Sequence, residues 1–278
     1  MAVGGVDVHG RVVAAELYFP EGLRWRDGAL WFTDQYGGTV CRIGGGYEVV
    51  ARMPGRPGGL GWTKDGTLLV VAMERRSVLS VAPGGALTLY ADLSHLLPAY
   101  ANDMLVDPQG RAYVGNYGFD VEHGEAEALT RIARVDPDRS THVEPPELMF
   151  PNGTVLVDGG RTMVIAETFG DRLTELTVAP DGGLSDPRTL LELPKGSGPD
   201  GIAVDRAGRV WVACAFSSRA IAVTRAGEID AEIEVPGEGV YCPEIGGPNG
   251  TTLYLGIASL DEEYAARTPT GRIEAYDL

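Results

Sequence analysis

The sequence predicts an all-β chain folded as one six-bladed β-propeller over residues 1–278. Two observations lead there. A hairpin unit recurs six times at intervals of roughly 40 to 50 residues, the period of propeller blades. Glycine (39 residues) and proline (18) are scattered between short apolar runs instead of being massed in a linker, as many short strands joined by turns require.

Each unit holds a turn or cap residue, a short apolar strand, a polar turn ending in glycine and a second apolar strand. The first is EGLRWRDGALWFTD from Glu21, folded back at Asp-Gly, and the second, GGLGWTKDGTLLVVA from Gly58, uses the same dipeptide. The third, NDMLVDPQGRAYVGN from Asn102, turns at Gln-Gly, and the fourth, NGTVLVDGGRTMVIAE from Asn152, at Gly-Gly. The fifth, DGIAVDRAGRVWVAC from Asp200, turns at Ala-Gly, and the sixth, CPEIGGPNGTTLYLGIA from Cys242, at Asn-Gly. Most hairpins are followed by a third strand, such as RLTELTVAP from Arg172 or RAIAVTRAG from Arg219, and by a fourth of alternating polarity, which completes a blade. RVVAAEL from Arg11 is expected beside GRIEAYDL from Gly271, closing the ring and covering an edge. A string of small sandwich domains would need linkers that the sequence lacks.

Composition narrows the function classes. The formal charge of −16 is spread along the chain, so it repels phosphate backbones and makes nucleic acid an unexpected partner. No basic and apolar leader opens the sequence and no run approaches the roughly 20 apolar residues of a membrane span, so a cytoplasmic protein without membrane contact is expected. Cys41, Cys214 and Cys242 are odd in number and far apart, which indicates neither a disulfide framework nor a thiolate zinc site.

Aligned on the turn glycine, with a one-residue deletion in the first unit, the residues that open the six innermost strands are Glu21, Gly58, Asn102, Asn152, Asp200 and Cys242. Innermost strands of a propeller run side by side around the channel, so these positions form a ring at one mouth. Four of the six carry side-chain oxygen, a donor set of two carboxylates and two amides that suits calcium, magnesium or manganese. Two carboxylates alone in a narrow channel would suffer repulsion and desolvation, which a divalent cation removes. Any one of these residues taken singly is more simply a turn former; the periodic coincidence favours a site. Glycine follows at Gly22, Gly59, Gly153 and Gly201, where a missing side chain permits close backbone approach, whereas Asn102 is followed by Asp103. Asp103 faces the channel or a blade interior, and alternation does not choose between them.

Other candidates carry less. His9, His95, His123 and His142 are isolated and read as loop or surface residues. There is no G-x-S-x-G motif, and Cys242 lacks an activating base and reads as a buried thiol. RPGGLG from Arg56 has neither the lysine nor the helix of a phosphate loop. The polar segment within GNYGFDVEHGEAEALTRIARVD from Gly115 is longer than a hairpin loop needs and reads equally as a cover over the mouth or a plain loop. SHLLPAYAND from Ser94 is expected to bring Leu97 and Tyr100 to the rim as an apolar wall.

In order and spacing, EGLRWRDGALWFTD, NDMLVDPQGRAYVGN, PNGTVLVDGGRTMVIAET and GPDGIAVDRAGRVWVACA resemble the hairpins of the SMP-30/gluconolactonase family, also called regucalcin-like proteins. The resemblance implies a six-bladed propeller with one divalent metal in the channel. It puts the metal on Glu21, Asn152 and Asp200, with Asn102 and Asp103 next to the substrate. Two departures bear on substrate. Leu23 stands where the family usually has proline, and Tyr100 where sugar-lactonase members often have arginine, which suits a ring less polar than gluconolactone.

The resemblance thus implies metal-assisted hydrolysis of a sugar or less polar lactone, a small-molecule substrate. Calcium is the first choice of ion, with manganese, magnesium or zinc as alternatives. Asp200 or Asp103 would take a proton from water, and Asn102 and Tyr100 would contact substrate. Phosphoester hydrolysis, an isomerase or cyclase step, or a metal-plugged binding propeller are the other readings this scaffold admits.

Overall fold

Twenty-four strands make six four-stranded antiparallel sheets in the computed structural model, which describes residues 10–278. Strand β1 (Arg11–Leu17) is set apart from its sequence neighbours. Blade one is β2 (Pro20–Arg26), β3 (Ala29–Asp34), β4 (Thr39–Ile43) and β5 (Tyr47–Arg52). Blade two is β6 (Pro57–Trp62), β7 (Leu68–Ala72), β8 (Ser77–Val81) and β9 (Leu87–Asp92). Blade three is β10 (Ala101–Val106), β11 (Ala112–Asn116), β12 (Thr130–Val135) and β13 (Thr141–Leu148). Blade four is β14 (Pro151–Val157), β15 (Thr162–Glu167), β16 (Arg172–Val178) and β17 (Leu184–Glu192). Blade five is β18 (Pro199–Val204), β19 (Val210–Cys214), β20 (Arg219–Val223) and β21 (Ile229–Glu234). Blade six is β22 (Gly239–Gly246), β23 (Thr252–Ala258) and β24 (Gly271–Asp277), with β1 as its outer strand.

The chain is therefore a six-bladed β-propeller, and its ends close it as expected: Arg11 pairs with Ala275 and Leu17 with Gly271. Strands β2, β6, β10, β14, β18 and β22 each contact the next, and β22 contacts β2. The hydrophobic core is correspondingly divided into six layers between neighbouring blades. Val164 and Leu173 of blade four, for example, pack with Ile202, Val210 and Val212 of blade five. Leu23, Leu30 and Phe32 of blade one likewise meet Tyr254, Ile273 and Ala275 of blade six. Alternation within the second and third strands supplies this pattern, since each blade offers a face to both neighbours.

The turns follow from their residues. At the Asp-Gly turn of blade one, Asp27 and Gly28 have φ of 51° and 75°, the backbone of a two-residue hairpin matched to strand twist. In blades three and five the turn begins with an aspartate and ends in Gly-Arg. Asp205 Oδ1 accepts the N–H groups of Ala207 and Arg209, both at 2.9 Å, while Oδ2 accepts Arg209 Nε at 2.7 Å and Trp211 Nε1 at 3.1 Å. Asp107 and Arg111 repeat the arrangement.

Every innermost strand shows a register shift against its partner just at the ring residue: between Glu21 and Arg24, Pro57 and Leu60, Ala101 and Met104, Pro151 and Thr154, Pro199 and Ile202, and Val240 and Cys242. In blades one, two, four and five a proline opens the strand, where its missing N–H costs no ladder bond. The glycines that follow serve contact between innermost strands. A Cβ at Gly153 would strike the backbone of Asp200 and Ile202, and one at Gly201 would strike Cys242. Leu97 departs from expectation: it is 3% exposed and belongs to the core between blades two and three, not to the rim. Among the described residues no helix is long and apolar enough to cross a membrane.

Candidate active site in the channel mouth

Glu21, Asn102, Asn152 and Asp200 line one cavity at the mouth of the channel, with about 140 Å³ of room for water-sized groups. Each stands second in its innermost strand, beside the register shift, which turns the side chain toward the axis. Asn102, Asn152 and Asp200 are buried, and Glu21 is partly exposed.

The orientation of Asn152 is determined by its surroundings. Its Nδ2 donates to Thr168 Oγ1 at 3.1 Å, and that hydroxyl donates in turn to the Pro199 carbonyl at 2.9 Å. A hydroxyl whose hydrogen is committed can only accept, so the amide N–H must face Thr168 and Oδ1 is left for the cavity. Glu21 Oε2 accepts its neighbour's N–H, from Gly22, at 3.0 Å, and the Glu21 carbonyl accepts from Thr33 Oγ1 at 3.1 Å.

The two ring carboxylates have no cationic partner among the described residues. Burial pushes the Glu21 carboxyl up to about 8, with Asp103 adding to the rise. Burial and then the Glu21 charge push Asp200 well above the ordinary carboxylate range. Cys242, the sixth ring member, is 2% exposed and donates its thiol to the Pro20 carbonyl at 3.4 Å; burial raises it well above an ordinary thiol. It is a protonated core thiol.

The structure sets the remaining candidates apart from this cavity. Asp103 Oδ1 accepts from Arg24 Nη2 at 2.8 Å and from the Met104 N–H at 2.8 Å, and Asp103 is not among the lining residues. Tyr100 lines an adjoining pocket with Pro98, Ala99 and Phe119. The Arg56 guanidinium, 4.9 Å over the Tyr100 ring, lines the ring cavity itself. It is held by Glu74 at 2.8 Å and Glu122 at 2.7 Å. A guanidinium thus reaches the site from blade two although position 100 lacks one. Glu122 and Val121 come from the insertion between β11 and β12, which forms part of the cavity wall. His123 pairs with Asp120 and His142 with Asp136, neither in the cavity; His9 lies outside the described residues.

Sequence reasoning missed the aromatic mouth and a short helix beside it. Tyr36, Phe169 and Phe216 each lie two residues past the end of a blade's second strand, immediately beyond the repeat as it was delimited. Helix α1 (Glu262–Ala265) is capped by Asp261, whose Oδ1 accepts the Tyr264 N–H at 3.0 Å, and it places Glu262 in the cavity wall. The Asp-x-x-Tyr run ahead of Ala265 was the available signal.

The SMP-30/Gluconolactonase/LRE-like region matches residues 19–259, a span that includes the ring and all six hairpins. The chain belongs to this family. Within it, regucalcin of Danio rerio is 27% identical over 193 residues, 66% of this chain and 63% of that protein, so the match spans less than two thirds of that relative. Pentonolactonase of Haloferax volcanii is 28% identical over 205 residues, 73% of this chain and 67% of that protein. Among solved structures, the calcium-binding protein regucalcin from Agrobacterium tumefaciens superposes with a TM-score of 0.80 at 22% identity, covering 98% of this chain and 96% of that one. At that identity the likeness speaks for the fold alone.

The donor set fits the divalent metal that membership of the SMP-30/gluconolactonase family implies. Among the described residues no group of three or more His, Cys, Asp or Glu side chains is placed to hold an ion. A site here therefore depends on amide oxygen as well as carboxylate. Two carboxylates, Asp200 buried and Glu21 partly exposed, with no ion-pair partner among the described residues, and one amide oxygen free to face the same cavity are such a set, and oxygen-only donors favour a hard cation.

Proposed function

We propose that the protein is a divalent-metal-dependent hydrolase that opens a lactone ring. The observation that carries this reading is the meeting of Glu21 and Asp200, without cationic partners, with the oriented amide of Asn152 in one open cavity. The pentonolactonase relative supports lactone hydrolysis as the reaction. Glu21, Asn152 and Asp200 would hold one ion, calcium before manganese, magnesium or zinc. When bound, that ion polarises the lactone carbonyl and lowers the pKa of water. Asp200 takes the proton of the attacking water. Asn102 donates its amide N–H toward the oxygen that gains charge and orients the ring. Asp103, occupied by Arg24, steadies the channel behind the site instead of acting as base.

The test is acid release from a panel of sugar and aliphatic lactones by chelator-stripped protein, with and without calcium, manganese, magnesium or zinc. Metal-dependent turnover is expected. Absence of turnover with every metal, on protein shown to bind one, overturns the lactonase reading.

A further inference from the structure

Resting on the lactonase reading, we infer that the substrate is an uncharged lactone bearing an aromatic substituent, which seats against Phe150, Phe169 and Phe216. Of the six phenylalanines in the chain, Phe19, Phe150, Phe169 and Phe216 line the ring cavity. Phe119 packs edge-on against Phe150 and Phe169, at 6.1 Å and 5.4 Å, and Phe32 alone is confined to an interblade core. The cavity rings form a continuous surface: Tyr117 stacks on Phe150 at 4.3 Å, Phe150 meets Phe169 at 5.1 Å, and Phe169 meets Phe216 edge-on at 6.3 Å.

Phe150, 6% exposed, backs this surface, and its outer rings are not spent on the core. Phe216 is 47% exposed and Phe169 is partly exposed, although both border a cavity that also contains buried charge. Aromatic faces and edges left open in this way bind another flat ring in offset or edge-on contact.

The polar groups argue in the same direction. A polyhydroxylated sugar ring needs several free donors and acceptors, but Thr168 is committed on both sides, to Asn152 and Pro199. Arg56, the one cation among the lining residues, is already held by Glu74 and Glu122. Apart from the ring, Gln35 is the remaining amide in the wall. An anionic substituent would face Glu262 at the mouth and find Arg56 already neutralised by Glu74 and Glu122, so charge selects against it.

The test uses ring amides that resist hydrolysis, δ-valerolactam and its 6-phenyl and 6-(4-carboxyphenyl) derivatives, titrated calorimetrically into calcium-saturated full-length protein. The phenyl lactam is expected to bind at least about tenfold more tightly than the parent, and more tightly than its carboxylated form. Phe216→Ala removes a half-exposed ring and so leaves the fold intact; it and Phe169→Ala should reduce the ratio of phenyl to parent lactam affinity several-fold. Equal affinity of phenyl and parent lactams, or no measurable binding of the phenyl lactam, overturns the inference. Lactone turnover separates the two readings. Phenyl preference without turnover on any lactone removes the hydrolase and keeps the aromatic seat, whereas turnover without phenyl preference removes the aromatic seat alone.

Discussion

Asp200 occupies the entrance of a core strand because five neighbouring strands deliver their own entrance residues to the same axis, and its chemistry is set by that company. Replacing it with asparagine keeps the shape and deletes one of two unpaired charges. Asp200→Asn is expected to bind calcium at least about 100-fold more weakly and to lose activity by a similar factor, while its chelated form melts no lower than chelated wild type. Calorimetry and thermal melts check both halves, and wild-type calcium affinity in the variant would sink the ligand assignment. The pH dependence has a definite sign. The Glu21 carboxyl rises from an ordinary 4.5 to about 8 on folding, so across that interval the folded metal-free protein holds a proton the unfolded chain has released. This contribution to stability is fully present below 4.5 and is lost as pH climbs through about 8. Calcium removes the repulsion, so the gap in melting temperature between loaded and chelated protein should widen from about pH 5 to about pH 8; a constant gap contradicts it. Asn102 and Asp103 show the limit of reading such residues from sequence. Strand alternation would assign them opposite faces, but the register shift between Ala101 and Met104 suspends the period of two, and both are buried.

At the scale of elements, strands and turns were legible because each is encoded locally. Asp-Gly, Gly-Gly and Asn-Gly specify their own hairpins, and the apolar runs between them mark the blades. The loops that follow the second strands were not legible, because their conformation serves the mouth and leaves no periodicity. Leu97 was misplaced for a related reason: an apolar residue in a connecting segment can fold inward or toward the rim, and only the packing of Leu93, Val114 and Val135 around it decides. The turn in blade five shows how much one local residue can hold. Asp205 accepts four N–H groups, two from backbone and two from Arg209 and Trp211. Asp205→Ala strands all four donors, and a loss of about 3 kcal/mol is expected. Asp205→Asn, which keeps an acceptor for the backbone, should lose roughly half as much. Urea denaturation at constant m-value measures both; a loss below about 1 kcal/mol for the alanine variant would show that the turn is held by strand pairing alone.

For the whole molecule, the ring is closed by β1 from one end of the chain joining β22, β23 and β24 from the other, and this pairing was legible from the two orphan strands at the ends of the repeat. Blade six gains its outer strand, β24 loses its open edge, and Leu17 is buried at 3% against the layer shared with blade one. Deleting residues 1–17 removes that burial and the ladder bonds, a loss of about 4 kcal/mol, and exposes β24 to pairing with other molecules. The deletion variant is expected to melt about 10 °C lower and to associate in a concentration-dependent way. If closure by an extra strand is what matters, the place of closure should not. Gly10 lies beside Tyr276, so with residues 1–9 removed a short glycine linker can join Gly10 to Leu278, and new termini between the exposed Gly45 and Gly46 move the closure to blade one. That permutant keeps all 24 strands and all six innermost strands unbroken, so it should keep wild-type calcium affinity and lose only a few degrees of melting temperature. A permutant as unstable as the deletion would mean that β1 contributes through its covalent run into β2 at Glu21, and that the channel mouth depends on that tether more than on a closed ring.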